Sequence, residues 1–464
     1  MPQKMSWKIE RRLLKFKVKR PGYLNLWIDL QVSGFKGNRQ IPLKLMPYRS
    51  ESITDSYTFR KVPSRHSASR HPWRCSNLER PVRVLATGIL DHPRSSPEGL
   101  ALAKFSINKR EKSCRVKMNE EKKIRFAIIG CGRIAPKHAE SILALPEAEL
   151  VAVCDIIPEL AQAFADKYRA EPYTDYSEML KRDDLDVVTI ATSSDLHAEI
   201  GIAAAEAGKH VLVEKPMAMT LKTADEMIAA CHNAGVKLGV IHQNRFNDSI
   251  KLLRTALEDG RFGKLTHGQA TVRWNRNDNY YTQAPWRGTK LKDGGVLMNQ
   301  SIHNIDLLQW TFGPVESVFG YTATFMRKIE MEDMGAAVIK FKSGAIGLIE
   351  AASTIYPKNI EETLNVFGET GSVIVGGIAV NRIEVWELPN SEEEKKEIFA
   401  GQAGDPPNVY GYGHRELIMD LIHAIREDRE PAIPGEEGRK ALEIILAIYK
   451  CQETKEPVVF PLVE

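Results

Sequence analysis

Ile124-Arg125-Phe126-Ala127-Ile128-Ile129-Gly130-Cys131-Gly132-Arg133-Ile134-Ala135 joins an apolar run to a glycine turn, and a helical pattern follows at once to Leu143. Such a run predicts a buried parallel strand, a tight turn and a helix N-terminus. Gly130 permits the turn, and Gly132 permits close approach of backbone to a pyrophosphate. Ala135 is small enough for the helix to pack on the strand. The free N–H groups at the helix start, around Arg133 and Ile134, would hold phosphate. A second apolar run, Leu150-Val151-Ala152-Val153-Cys154, ends in Asp155. That is about 20 residues beyond the turn, the spacing of a dinucleotide fingerprint. An acid there accepts from a ribose diol and repels a 2′-phosphate, so NAD is favoured over NADP.

The pattern continues as alternating strands and helices, which predicts a doubly wound parallel sheet over residues 118–241. Asp186–Ala191 reads as a buried strand ending in Thr192-Ser193-Ser194-Asp195-Leu196-His197. Thr192, Ser194 and His197 are therefore placed at the cofactor edge of the sheet. The next strand ends in Glu214-Lys215-Pro216. A lysine there, beside a nicotinamide, is positioned to act on a substrate hydroxyl, and the proline fixes the backbone after it. The tripeptide alone fits a surface lysine after a strand equally well.

His242-Gln243-Asn244-Arg245-Phe246-Asn247 puts a polar cluster on the same edge, with Gln243 toward the cofactor and Arg245 and Asn247 toward substrate. Trp286-Arg287 follows in a polar, aromatic loop. Core packing and a surface ion pair would explain those two as well. Asn299, His303 and Asp306 recur at helical spacing, so one face of one helix is expected to carry all three, with Ile305 and Leu308 on the other. His303 can take a proton from an alcohol.

The glycine turn, Asp155, Thr192 to His197 and Glu214-Lys215-Pro216, in this order and spacing, resemble the glucose–fructose oxidoreductase/inositol dehydrogenase/MocA family. The resemblance covers residues 118–464. It implies an α/β chain with an N-terminal Rossmann domain and a C-terminal α/β domain, 242–464, built on a large open, mainly antiparallel sheet. It further implies NAD as cofactor, Lys215 and His303 as catalytic residues, a cis Lys215–Pro216 bond, and Trp286 and Arg287 near the cofactor's phosphate and ribose. Many relatives carry Asp at Asn299 and Gly at Ser301. Asn299 cannot take a proton, so Asn299 and Gln300 are expected to orient a sugar. The Met-Asn-Gln-x-x-His form resembles the branch that oxidises the 3-hydroxyl of UDP-N-acetylglucosaminuronate for surface-polysaccharide synthesis. Inositol or free-sugar dehydrogenation, an NAD-dependent glycosidase and a non-catalytic NAD-binding regulator are the alternatives. A homo-oligomer, dimer or tetramer, is expected.

The 464 residues are 43% hydrophobic and 27% charged, and no apolar run is long enough for a membrane span. The six cysteines show no metal spacing, so no metal is expected, and reduced thiols suit a cytoplasmic protein. Net charge is unevenly distributed. Residues 1–117 hold 26 Lys and Arg against 8 Asp and Glu, while the rest holds 38 against 52. The basic segment, with its Ser64–Pro72 run, suggests a nucleic-acid or membrane-surface arm. Against that, it carries no sustained period and stands outside the resemblance. It is read as a non-domain extension, with translation expected to begin at Met118, and neither nucleic acid nor membrane is expected as a partner. The mass of the native protein tests that start.

Overall fold

The computed structural model describes the strands within residues 17–43, then residues 122–402, 404, 411 and 413–463. The chain divides into two units, Met1–Met118 and Asn119–Glu464. In the first, β1 (Lys17–Arg20), β2 (Tyr23–Leu30) and β3 (Arg39–Leu43) form an antiparallel sheet. This corrects the expectation of no strand period. Leu24, Leu26, Ile28 and Leu30 alternate with Tyr23, Asn25, Trp27 and Asp29, a period of two that the surrounding basic residues obscure. The basic start before Lys17 and the Ser64–Pro72 run lie outside the described residues.

In the second unit, six parallel strands make the nucleotide sheet: β4 (Ile124–Ile129), β5 (Ala148–Cys154), β6 (Glu171–Tyr173), β7 (Val187–Ile190), β8 (His210–Val213) and β9 (Leu238–Val240). Their spatial order is β6-β5-β4-β7-β8-β9. The order reverses between β4 and β7, and the crevice at their carboxyl ends is where such sheets bind ligands. Phe126, Ala127, Ile128, Val187, Val188 and Ile190 are fully buried, as strands covered on both faces require. The intervening helices start where the sequence provides a stop and a cap. Pro158 opens Pro158–Tyr168, and the Asp175 carboxylate accepts from the Ser177 amide at 2.8 Å to open Tyr176–Leu180.

The second sheet has eight strands: β10 (Leu265–Arg273), β11 (Val315–Ala323), β12 (Met334–Phe341), β13 (Ile346–Ala352), β14 (Glu361–Gly368), β15 (Ser372–Gly376), β16 (Arg382–Glu387) and β17 (Val458–Val459). The order is β16-β15-β14-β10-β13-β12-β11-β17. Only the β10–β13 pair is parallel. Alternation sets its two faces. Ala337, Ile339 and Phe341 point into the core, while Val338, Ile346 and Leu348 are exposed on the outer face.

Two expectations need correction. The charge run Ser391–Lys396 reads from sequence as a solvated loop, but Glu392–Gly401 is an exposed helix whose first turn holds Glu392, Glu393 and Glu394. Acids there favour the positive end of the helix, so the charge run was a start signal. The terminal helices Gly413–Glu427 and Gly435–Thr454 do not belong to the second domain alone. Pro434 bridges to Gly239, and the Val240 amide donates to the Ile433 carbonyl at 2.9 Å, so the end of the chain covers the β9 edge. Among the described residues, no helix is long and apolar enough to cross a membrane. The four described cysteines, 131, 154, 231 and 451, are free and buried.

Candidate active site

The glycine turn lies at the crevice between β4 and β7. Gly130 has φ +95°, and a Cβ there would stand 2.6 Å from the Ala191 carbonyl oxygen at the end of β7. A Cβ on Gly132 would meet nothing within 4 Å. The first glycine is thus required by the protein's own packing, and the second faces open space. Asp155 closes the far side. Its Oδ2 accepts from the Cys131 amide at 2.8 Å and its Oδ1 from the Ile157 amide at 3.0 Å, so the carboxylate ties the end of β5 to the glycine turn. Each oxygen keeps a lone pair for a ribose diol. These residues fit NAD. Asp155→Ser is expected to weaken NAD and narrow its advantage over NADP by about 1–3 kcal/mol, the scale of a charged hydrogen bond. Dissociation constants for both cofactors check this, and a wild type preferring NADP would contradict it.

Lys215 follows β8, and the Lys215–Pro216 peptide is cis. Its Nζ donates to the Asn299 main-chain oxygen at 2.8 Å, bridging the two halves of the unit. Burial holds this amine below the ordinary lysine range, and Arg287 and Arg276 add to the effect, while Glu214 and Asp293 oppose it. Glu214 is buried beneath the lysine. Its Oε1 accepts from His138 Nε2 at 2.8 Å and its Oε2 from the Lys215 amide at 3.2 Å. Burial alone would raise this carboxyl, but the His138 hydrogen bond and the charges of His138, Lys215 and His414 bring it down to about 2. His138, Glu214 and His414 also form the group of described residues whose atoms lie close enough, within 4.8 Å, to hold a metal ion. Both Glu214 oxygens are already engaged by protein donors, so the group serves as a support under Lys215.

His303 stands opposite. Its Nε2 lies 3.5 Å from Gln243 Nε2, its ring meets that of His242 edge-on at 5.6 Å, and its Nδ1 has no partner among the described residues. Burial, then the charge of Lys215, holds it well below the ordinary histidine range. A neutral imidazole at neutral pH is able to accept a proton.

Several residues lie elsewhere than expected. Asn299, His303 and Asp306 do not share one helix, because Val296–Asn299 and Ile302–Phe312 are separate, broken at Gln300 and Ser301. Asn299 turns its amide to the Asp293 carboxylate, and Gln300 donates to the Tyr280 hydroxyl at 3.2 Å. Asp306 is fully buried and is held bidentately by Arg245, at 2.8 and 2.6 Å, while Arg245 also reaches Glu437. A buried carboxylate demands such a partner, so Arg245 is engaged by two acids inside the fold. Asn247 is likewise internal, donating to the Ala379 carbonyl at 2.8 Å. His197 is buried, with Nδ1 against the Pro216 oxygen at 2.8 Å and Nε2 3.3 Å from the Thr192 oxygen. It clamps the chain after β7 to the chain after β8. Ser194 is buried in the short turn before that helix, and Thr192 bonds the Ser193 carbonyl. Arg287 lies against two rings, 4.4 Å from the Tyr280 centroid and 4.7 Å from that of Trp286.

Three residues were missed. Asp293 is buried and accepts from the Gly288 amide at 2.6 Å; burial raises its carboxyl, and Gly288, Asn299 and Arg287 partly offset this. Tyr280 and Arg276 gather at the mouth of the site. No spacing marks these three, because Tyr280 stands on the short helix Asp278–Thr282 while Arg276 and Asp293 lie outside any helix or strand.

Residues 124–242 match the family model for the oxidoreductase family with an NAD-binding Rossmann fold, and residues 250–374 match the GFO/IDH/MocA C-terminal domain. The chain is 28% identical over 351 residues to myo-inositol 2-dehydrogenase of Thermotoga maritima, covering 72% of this chain and 98% of the relative. It is 30% identical over 339 residues to 1,5-anhydro-D-fructose reductase of Ensifer adhaerens, covering 71% and 96%. Among solved structures, the WlbA dehydrogenase of Bordetella pertussis, in complex with NADH and UDP-GlcNAcA, is 40% identical with a TM-score of 0.68, covering 74% of this chain and 100% of the other.

Proposed function

Since the chain belongs to the GFO/IDH/MocA oxidoreductase family and is an NAD-dependent dehydrogenase acting on the CH–OH of sugars or polyols, we propose that it oxidises the 3-hydroxyl of UDP-N-acetylglucosaminuronate, a precursor for surface polysaccharide. The observation that carries this reading is the Asn299-Gln300-x-x-His303 segment bonded to Lys215 through the Asn299 carbonyl, together with the 40% identity to a dehydrogenase solved with that nucleotide sugar.

The residues divide the work as follows. NAD would be held by the glycine turn and Asp155 and would supply the hydride acceptor. The hydroxyl proton passes to the neutral His303 ring. Lys215 hydrogen-bonds the same oxygen and stabilises the negative charge that develops on it. Its hydrogen bond to the Asn299 carbonyl fixes the amine in place beforehand, and Glu214 with His138 fixes the backbone from below. The product is a ketone, with one NADH and one proton formed.

The test is NADH formation with UDP-N-acetylglucosaminuronate, UDP-N-acetylglucosamine, myo-inositol and free hexoses, each with and without 2-oxoglutarate to drain NADH. Turnover confined to the uronate is the expected result. Oxidation of inositol or a free hexose with no reaction of any UDP-sugar would keep the chemistry and discard the substrate. Bond cleavage without net NADH would indicate a glycosidase.

A further inference from the structure

Lys215 is held by a main-chain oxygen, so its place depends on where the segment Gly295–Asn299 lies. That segment is a single turn. The Asn299 amide donates to the Gly295 carbonyl at 2.9 Å, and the Asn299 carbonyl accepts from Lys215 Nζ at 2.8 Å. One helical turn is unfavourable on its own, because few internal bonds repay the order it imposes. Its start is fastened by Glu332, 35 positions beyond Leu297 and just before β12. The Val296 amide donates to the Glu332 carbonyl at 3.0 Å, and the Leu297 amide donates to Glu332 Oε1 at 2.9 Å. Two amides that the short helix cannot satisfy itself are thereby paired. The Tyr449 hydroxyl, from the last helix, donates to the same Oε1 at 3.0 Å. A Cβ on Gly295 would overlap the carboxyl group, so the turn and Glu332 are in direct contact.

Glu332 is 4% exposed, and its Oε2 has no hydrogen-bond partner among the described residues. Burial pushes its carboxyl up to about 7; the bonds from Leu297, its own amide and Tyr449 oppose this, and the charge of Asp293 adds to it. A buried acid with one oxygen unpaired costs stability where it sits. What it holds in return is the turn that leads to Lys215. Neutral or ionised, it offers Oε1 to the same two donors.

We propose that Glu332 is a positioning residue for Lys215: it fixes the Gly295–Asn299 turn so that the Asn299 carbonyl holds the amine in place for the substrate oxygen. Tyr449 braces Glu332 from the last helix. The proposal rests on the role given to Lys215 above and on no particular sugar.

The experiment measures kcat, KM and the NADH dissociation constant of the full chain, with whichever sugar the wild type oxidises. The variants are Glu332→Ala, Glu332→Gln, Tyr449→Phe, Lys215→Met and the double variant Glu332→Ala/Lys215→Met. Glu332→Ala is expected to lower kcat roughly tenfold to a hundredfold, the cost of a misplaced group. KM should change less than about threefold and NADH binding less than about twofold, because the loss falls on the transition state. Normal NADH binding also shows that the variant is folded. Glu332→Gln keeps the acceptor oxygen and should stay within about threefold of the wild-type kcat. Tyr449→Phe, which loses one donor to Oε1, should lie between the two. In the double variant Glu332→Ala should add less than about twofold to the loss from Lys215→Met, because no amine is left to place. If Glu332→Ala binds NADH normally and keeps the wild-type kcat, the proposal falls and the role of Lys215 stands. The same follows if the two losses multiply, or if Glu332→Gln loses as much as Glu332→Ala. Where Glu332→Ala gives no folded protein, a wild-type kcat in Tyr449→Phe overturns the proposal. If Lys215→Met itself turns over like wild type, the role of Lys215 falls and takes that of Glu332 with it.

Discussion

Replacing His303 by Asn is expected to lower kcat by roughly 10²–10⁴, the range for loss of a positioned acid or base, with NAD binding little changed. Lys215→Met should fall in the same range. In the proposed reaction the two residues would act on one oxygen from opposite halves of the unit, Lys215 after β8 and His303 in the helix Ile302–Phe312. Their losses should therefore not multiply, and the double variant should fall far short of the product. Asn299→Ala is a milder case, because Lys215 is held by the main-chain oxygen of that residue. It should raise KM more than it lowers kcat. The pH profile adds an independent check. Burial, with the charge of Lys215, holds His303 well below 6.5, so its protonation should cut kcat/KM only at pH below that value. An acid limb at or above 6.5, or near-normal turnover in His303→Asn, would remove His303 as the base.

The second large effect is expected at the glycine turn, and it separates two glycines two residues apart. Gly130→Ala puts a Cβ 2.6 Å from the Ala191 oxygen at φ +95°. Overpacking and left-handed strain together should cost about 2–5 kcal/mol and weaken NAD sharply, because the turn cannot close onto β7. Gly132→Ala meets nothing in the protein. It should leave the unfolding midpoint in urea nearly unchanged and still impair NAD binding, because the methyl group enters space a phosphate needs. Equal destabilisation of both variants would refute this division, as would a stable Gly130→Ala with normal affinity.

Legibility from sequence followed the range of the interaction. The positions of the turn, Asp155, Lys215 and His303 were accessible because each sits at a strand end or a helix position that local pattern defines; their roles are for the variants above to test. The alternation of strands and helices defined the nucleotide sheet for the same reason. The partner of Arg245, Asp306, lies 61 residues away and was not legible, because a polar cluster at a sheet edge looks the same whether it faces ligand or a buried acid. The bond from Asn247 to the Ala379 carbonyl was hidden in the same way. The break at Gln300–Ser301 was invisible to helical spacing, which continues across a one-turn interruption. The approach of Arg133 to the Tyr280 ring joins the glycine turn to the short helix Asp278–Thr282 well over a hundred positions later, and no periodicity encodes such a meeting. The Glu392–Gly401 helix shows the reverse error, a local signal that was present and read as charge alone.

The return of the chain onto β9 bears on how the protein is made. During synthesis the nucleotide sheet emerges first, and domains generally fold in that order. Its β9 edge nevertheless stays bare until Ile433 and Pro434 have been translated and can reach it. For that interval the nascent chain exposes an unpaired strand next to apolar Leu238 and Val240, the kind of edge that recruits other chains. The segment just before the last helix therefore seals the final strand of the nucleotide sheet. A chain interrupted before residue 433 would be left with an open, adhesive nucleotide domain, unable to behave as a smaller working version of the enzyme.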